Sequence, residues 1–205
     1  IAKSGAIPGV KGFGGCRVKP VAQFLEVLSQ YHAVKGTQDR SMQLRDLVRL
    51  AHPRPRGAEQ RELLGWLSGH VDGKRVALNG QVKALEALKR TSDPARQVEL
   101  IREGRLPYEA VVAAVAKPGR EVWAELLRQA PMFNLLRNLR TFARHGVFED
   151  SAAVDLAVAK LTRPDALRKA RILPFRAYQA WKAYSAQDAA DPRIIAALSD
   201  ALEGS

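Results

Sequence analysis

The chain has 205 residues, with 33 Lys plus Arg against 21 Asp plus Glu, a formal net charge of +12 and a sequence pI near 10.3. That length can bury a core without staples, and the single cysteine, Cys16, excludes an internal disulfide and any four-cysteine zinc site. Histidines 32, 52, 70 and 145 lack H-E-x-x-H spacing, and no apolar run approaches the roughly 18 residues of a membrane span, so no metal, cofactor or membrane is expected. The expectation is a cytoplasmic protein whose default partner is nucleic acid.

The positive charge is concentrated. Residues 1–56 hold ten Lys or Arg and only Glu26, Asp39 and Asp46 as acids, more than half of the excess in about a quarter of the chain. Within it, residues 1–16 carry glycine at 5, 9, 12, 14 and 15 plus Pro8, which predicts loop. The chain opens without Met, which reads as a piece of something longer.

The apolar spacing then predicts helices in succession. The first runs from Pro20, with Val21, Phe24, Leu25, Leu28 and Tyr31 on one face and Gly36 as its stop. Ser41 is the expected cap of the second, LRDLVRLA. A third covers about 58–68 and ends at Gly69. A fourth starts at Asn79 or Gly80 and runs to about Arg90, and a fifth starts at Ser92, Asp93 and Pro94 and stops at Gly104. Pro107 opens a sixth, closed by Lys117 to Gly119. Residues 120–129 give a seventh, and Pro131 opens an eighth that Gly146 ends, with Phe133, Leu136 and Leu139 along its apolar period. Four more are expected over 151–162, 164–171, 174–185 and 191–202. No segment alternates like a strand. Twelve short helices with Pro at starts and Gly at stops predict an all-α helical-repeat array; an irregular bundle fits the same spacing.

Three basic groups are candidates for anion contact. Arg45, Arg49 and His52 fall at i, i+4 and i+7 of the second helix, opposite Leu44, Leu47, Val48 and Ala51, and run into Arg54 and Arg56 after Pro53. Arg137, Arg140 and Arg144 share a face of the eighth helix. Lys169, Arg171 and Arg176 cluster around Pro174, with Arg168 beside them. Each reads either as a phosphate site, because guanidinium forks suit phosphate oxygens, or as a solvated face. Tyr178, Trp181 and Tyr184 at helical spacing read as core.

No catalytic constellation appears. Cys16 lies among glycines without an identifiable base, His145 reads as a helix-end residue, and Glu149 with Asp150 reads as a loop or cap. An enzyme is not expected.

The segments YHAVKGTQDRSMQLRDLVRLAHPRP (31–55), EVWAELLRQAPMFNLLRNLRTFARHGVFED (121–150) and KARILPFRAYQAWKAY (169–184), with GFGGCRVK (12–19) before them, resemble the TROVE domain of Ro ribonucleoproteins in order and spacing. The resemblance spans most of 12–203. It implies HEAT-like helical repeats in a ring, of which this chain is a part, and a TROVE-like domain from residue 17 onward after the Gly-rich segment. It also implies binding of Y RNA on an outer basic surface and of single-stranded 3′ ends of misfolded non-coding RNA, an exoribonuclease as possible partner, and no enzymatic activity.

Residue by residue, His52 matches the histidine of the family's RLSH or RLAHP motif and Lys35 the lysine of its AVK segment. Arg45 and Arg49 match basic positions of the same helix, and Arg17 and Lys19 the basic run after the Gly-rich turn. Asp39 stands where the family carries Arg, and Ser41 with Met42 replaces a Gly-Trp pair. A carboxylate in place of a phosphate contact adds repulsion. The von Willebrand A-type D-x-S-x-S signature is not in this sequence. The expectation is a Ro-like RNA-binding ribonucleoprotein component, open to oligomerisation. The alternative is a helical-repeat protein-interaction scaffold within a larger ribonucleoprotein or particle.

Overall fold

The computed structural model describes residues 15–36, 43–69, 80–163 and 166–203. Among them are thirteen α-helices, one 3-10 turn and no strand. None of these helices is long and apolar enough to cross a membrane. The chain divides into two compact units, Ile1–Ser92 with Glu99–Ala116, and Asp93–Val98 with Lys117–Ser205.

The first unit contains α1 (Gly15–Glu26), α2 (Gln30–Gly36), α3 (Leu44–Ala51), α4 (Ala58–Leu67), α5 (Gly80–Leu88), most of α6 (Pro94–Gly104) and α7 (Tyr108–Ala114). α1 packs on α3, α3 on α4, and α2 on α4, α5 and α7. Leu25, Val34, Leu63, Leu85, Ile101 and Val111 fill the interior. A buried carboxylate, Glu86, accepts from the Trp66 indole N–H at 3.1 Å and from the Lys89 ammonium at 2.7 Å, so its charge is matched in place.

Three expectations need correction here. The single helix expected over 20–36 is two, because Ser29 starts a new one: its carbonyl accepts from the Ala33 N–H at 2.9 Å and its hydroxyl from the His32 N–H. α1 also includes Cys16, so the helix begins inside the segment expected to be loop; residues 1–14 lie outside the described residues, as does Ser41. α3 is capped instead from Gln43, whose N–H donates to the Asp46 carboxylate at 3.2 Å.

Gly104 ends α6 for a reason other than chain reversal. A Cβ there would lie 2.5 Å from the Ala84 Cβ and 3.1 Å from Leu106 Cγ, so glycine permits the close approach to α5. The left-handed residue that closes the helix is Arg105, at φ 45°. By contrast Gly146 does take the left-handed cap position, at φ 69°, after the helix it was expected to end.

The second unit contains α8 (Arg120–Gln129), α9 (Met132–Arg144), a 3-10 turn (Val147–Glu149), α10 (Ser151–Leu161), α11 (Ala166–Lys169), α12 (Pro174–Ser185) and α13 (Pro192–Glu203). α9 packs on α8, α10 and α12, while α13 packs on α10 and α12. Its centre is a chain of edge-on rings, Trp123 to Phe142, Phe142 to Phe148 and Phe148 to Tyr184, with centroids 6.4, 6.4 and 5.9 Å apart. Asp150 caps α10 by accepting from the Ala152 N–H at 3.0 Å, so the cap expectation for the Glu149 and Asp150 pair holds.

Candidate nucleic-acid interface

In the first unit, the amphipathic pattern of α3 is realised as expected. Val48 and Ala51 are buried, and Arg45, Arg49 and His52 are exposed. His52 lies just beyond the helix rather than in its last turn: it is the C-cap, left-handed at φ 46° and ψ 57°, and its N–H donates to the Val48 carbonyl at 3.0 Å. Pro53 removes the donor that the next turn would need, so the chain leaves the helix with the imidazole at its exposed end.

Arg54 and Arg56 follow and are exposed. Arg56 is tied back to α1, its Nε and Nη2 both donating to Glu26 at 3.1 and 3.0 Å. This exposed pair engages two of the guanidinium's donors on one carboxylate oxygen and links the 52–57 turn to α1 only weakly. On α2, exposed Lys35 lies over the Tyr31 ring at 5.9 Å, and Tyr31 meets His32 edge-on. Lys19 is exposed in α1. Arg17 is in α1 with its side chain outside the described set, and so are Asp39, Ser41 and Met42.

In the second unit, Arg137, Arg140 and Arg144 are all exposed on one face of α9, opposite buried Leu135, Leu139 and Phe142. α9 contains no acid, so no carboxylate of its own helix offsets them. Lys169 and Arg171 are exposed around the end of α11, with Arg171 left-handed at φ 53°. Arg176 is exposed in the first turn of α12, its guanidinium 5.7 Å from the Phe133 ring centroid.

The aromatic residues divide differently from the expectation. Tyr184 is fully buried, as a core residue should be, but Tyr178 is 45% exposed and stacks on Trp181 with centroids 5.9 Å apart. Phe133, placed by periodicity on the apolar stripe of α9, is 42% exposed, and Phe175 and Leu173 are 66% and 69% exposed. Spacing alone does not mark these three as exposed. The available signal was an aromatic beside an arginine, Phe133 with Arg137 one turn on and Phe175 with Arg176 next to it.

His145 is the C-cap of α9 and stacks on Trp123 at 4.4 Å, the helix-end role expected of it. No group of three or more His, Cys, Asp or Glu among the described residues has the arrangement of a metal site.

Residues 113–191 match the model of the TROVE domain. The chain is 33% identical over 173 residues to the RNA-binding protein RO60 of Deinococcus radiodurans, an alignment covering 77% of this chain and 31% of that protein. Its structure is similar to the crystal structure of the Deinococcus radiodurans RO (RSR) protein, with a TM-score of 0.75 and 27% identity over 94% of this chain and 42% of that one. The chain thus spans less than half the length of these relatives. The all-α helical-repeat architecture expected from the helix spacing is the one it shares with them.

Proposed function

This chain carries part of a TROVE domain of the Ro type, and from that premise we propose that it is an RNA-binding component of a ribonucleoprotein. It contacts structured non-coding RNA through backbone phosphates. The observation that carries this reading is the exposed face of α9, three arginines on a helix without an acid. A solvated stability face usually interleaves both signs, whereas a phosphate-tracking face does not. The exposed end of α3, with Arg45, Arg49 and His52, supplies a second patch of the same chemistry in the other unit. The reading includes no catalysis by this chain, a cytoplasmic setting, and an exoribonuclease or similar enzyme acting on the RNA it holds.

Affinity for a small stem-loop RNA, titrated by anisotropy over a range of salt, tests it. Each neutralised phosphate contributes a slope of about −0.9 in log K against log salt on duplex. A flat dependence rejects the reading. The second reading, a protein-interaction scaffold, is favoured by the exposure of Leu173 and Phe175. Purified protein free of nucleic acid by ultraviolet absorbance, together with no stem-loop binding, supports the scaffold instead.

A further inference from the structure

In the second unit, the exposed large apolar side chains Phe133, Leu173, Phe175 and Tyr178 belong to α9, to α12 and to the turn before α12. Between these elements lies a groove of about 390 Å³. Largely buried Leu136 and Ile172 form its floor, and Phe133 and Phe175 stand exposed at its rim. The α12 wall continues with Ala180 and Ala183, whose short side chains keep it low. The charged side chains that line the groove are Arg137 and Arg176. α9 and α12 together carry five basic residues, Arg137, Arg140, Arg144, Arg176 and Lys182, and no acid.

We infer that this groove is a docking site for an acidic, amphipathic helical segment of a partner protein, whose apolar side chains enter between α9 and α12 while its carboxylates meet Arg137 and Arg176. The inference goes beyond the RNA-binding reading and does not depend on it. Two packed helices leave a channel between them, and a third helix fits such a channel through apolar side chains at i, i+3 or i+4, and i+7. The low wall at Ala180 and Ala183 lets the backbone of that helix come close. Charge fixes the sign of the partner. No carboxylate is among the described residues lining the groove, so an entering cation meets only like charge. Glu or Asp beside the apolar stripe instead finds charge-assisted hydrogen bonds to two guanidinium forks. The floor decides between protein and nucleic acid. Leu136 and Ile172 are aliphatic, and the Phe133 ring already has the Arg176 guanidinium 5.7 Å from its centroid, so of the lining rings Phe175 is the one left open to a base. Leu or Phe side chains of a peptide gain from the whole apolar surface, floor and rim together.

The test measures anisotropy of three labelled peptides of about 16 residues on the 205-residue chain. The first has Leu at i, i+3, i+4 and i+7 with Glu and Ala elsewhere; the second is the same composition scrambled; the third keeps the Leu stripe and replaces Glu by Lys. The first is expected to bind at least about tenfold more tightly than either control. Phe175→Ala should weaken it roughly 5- to 50-fold. Arg176→Glu should weaken it about tenfold and strengthen the Lys peptide by a similar factor. Both replaced side chains are exposed, and circular dichroism checks that the variants keep their helices. If Phe175→Ala does not fold, the exchange of preference in Arg176→Glu decides alone. Equal binding of the striped and scrambled acidic peptides, equal binding of the Glu and Lys stripes, or no binding of any overturns the assignment. Oligoadenylate binding that Phe175→Ala weakens as much as it weakens the acidic peptide marks the groove as a nucleobase site and also overturns it. So does self-association in sedimentation velocity that Phe175→Ala abolishes, which identifies a second copy of this chain as the occupant.

Discussion

The ammonium of Lys160 in α10 donates to the carbonyl oxygen of Ala130, the residue that ends α8, across 2.8 Å. Two more of its hydrogens go to the carbonyls of Leu127 at 3.0 Å and Arg128 at 2.9 Å. The last carbonyls of a helix have no partner within it and carry the negative end of its dipole. One lysine from another helix donates to three carbonyls at this end, of which that of Leu127 also accepts from the Ala130 N–H at 3.2 Å, and uses its full set of donors. This joint ties α10 to the end of α8, beside the Pro131 at which α9, with its arginine face, begins.

Replacing Lys160 by Met keeps the apolar stem and removes the three donors. Urea unfolding of Lys160→Met should show a loss of about 1–3 kcal/mol, since the carbonyls are only partly open to water. A change below about 0.5 kcal/mol would mean that water replaces the ammonium without penalty.

Tyr184 provides the pH dependence. Burial raises its pKa above the ordinary 10.0, opposed by the hydrogen bond its phenolic oxygen accepts from the Asp191 N–H at 3.0 Å. A folded-state pKa above the unfolded value means that the folded form holds the proton longer. The corresponding stability is complete below pH 10.0 and is lost as pH rises through the folded value. Alkaline denaturation should therefore set in above pH 10, with tyrosinate absorbance from Tyr184 appearing together with unfolding. Tyr184→Phe should be about 0.5–1.5 kcal/mol less stable at neutral pH and show a shallower alkaline decline.

His52 separates fold from contact. An L residue in the left-handed region is strained by about 1–2 kcal/mol, and Asn tolerates it better. Thermal unfolding of His52→Asn should show a stability equal to wild type or up to about 1 kcal/mol higher. If the imidazole contacts RNA, the same variant binds a stem-loop more weakly despite being at least as stable, and Arg49→Ala with His52→Ser weakens it further. Unchanged stem-loop affinity in both places the contact away from α3.

The α9 face makes a prediction in salt. Arg137→Ala, Arg140→Ala and Arg144→Ala should each lower the salt slope of RNA binding by about one while changing stability by less than about 0.5 kcal/mol. Arg56→Ala is the contrast. Its guanidinium is held by Glu26, so the expected effect is a stability loss below about 1 kcal/mol and an unchanged salt slope.

Much of this molecule was legible in its sequence because helical periodicity is a local property. The bounds of α8 and α12 follow from the expected 120–129 and 174–185 without adjustment, and the three arginines of α9 share the face that their spacing demands. The all-α class, the positive surplus and the TROVE resemblance likewise needed no coordinates. The split at Ser29 was harder, because a continuous apolar stripe looks the same whether one helix or two carry it.

What only the tertiary structure decided is which of several chemically equal side chains has company. Arg54 and Arg56 look alike in sequence, but it is Arg56 that meets Glu26, 30 residues earlier. Phe142 and Phe133 lie on the same helix, and one is fully buried while the other borders a groove, because α12 and the turn before it leave that side open. Gly104 reads as a stop and is in fact a close approach to Ala84. Local sequence sets the periodicity and the supply of charge. Pairing, burial and grooves depend on contacts between residues distant in the chain, which no window of sequence contains.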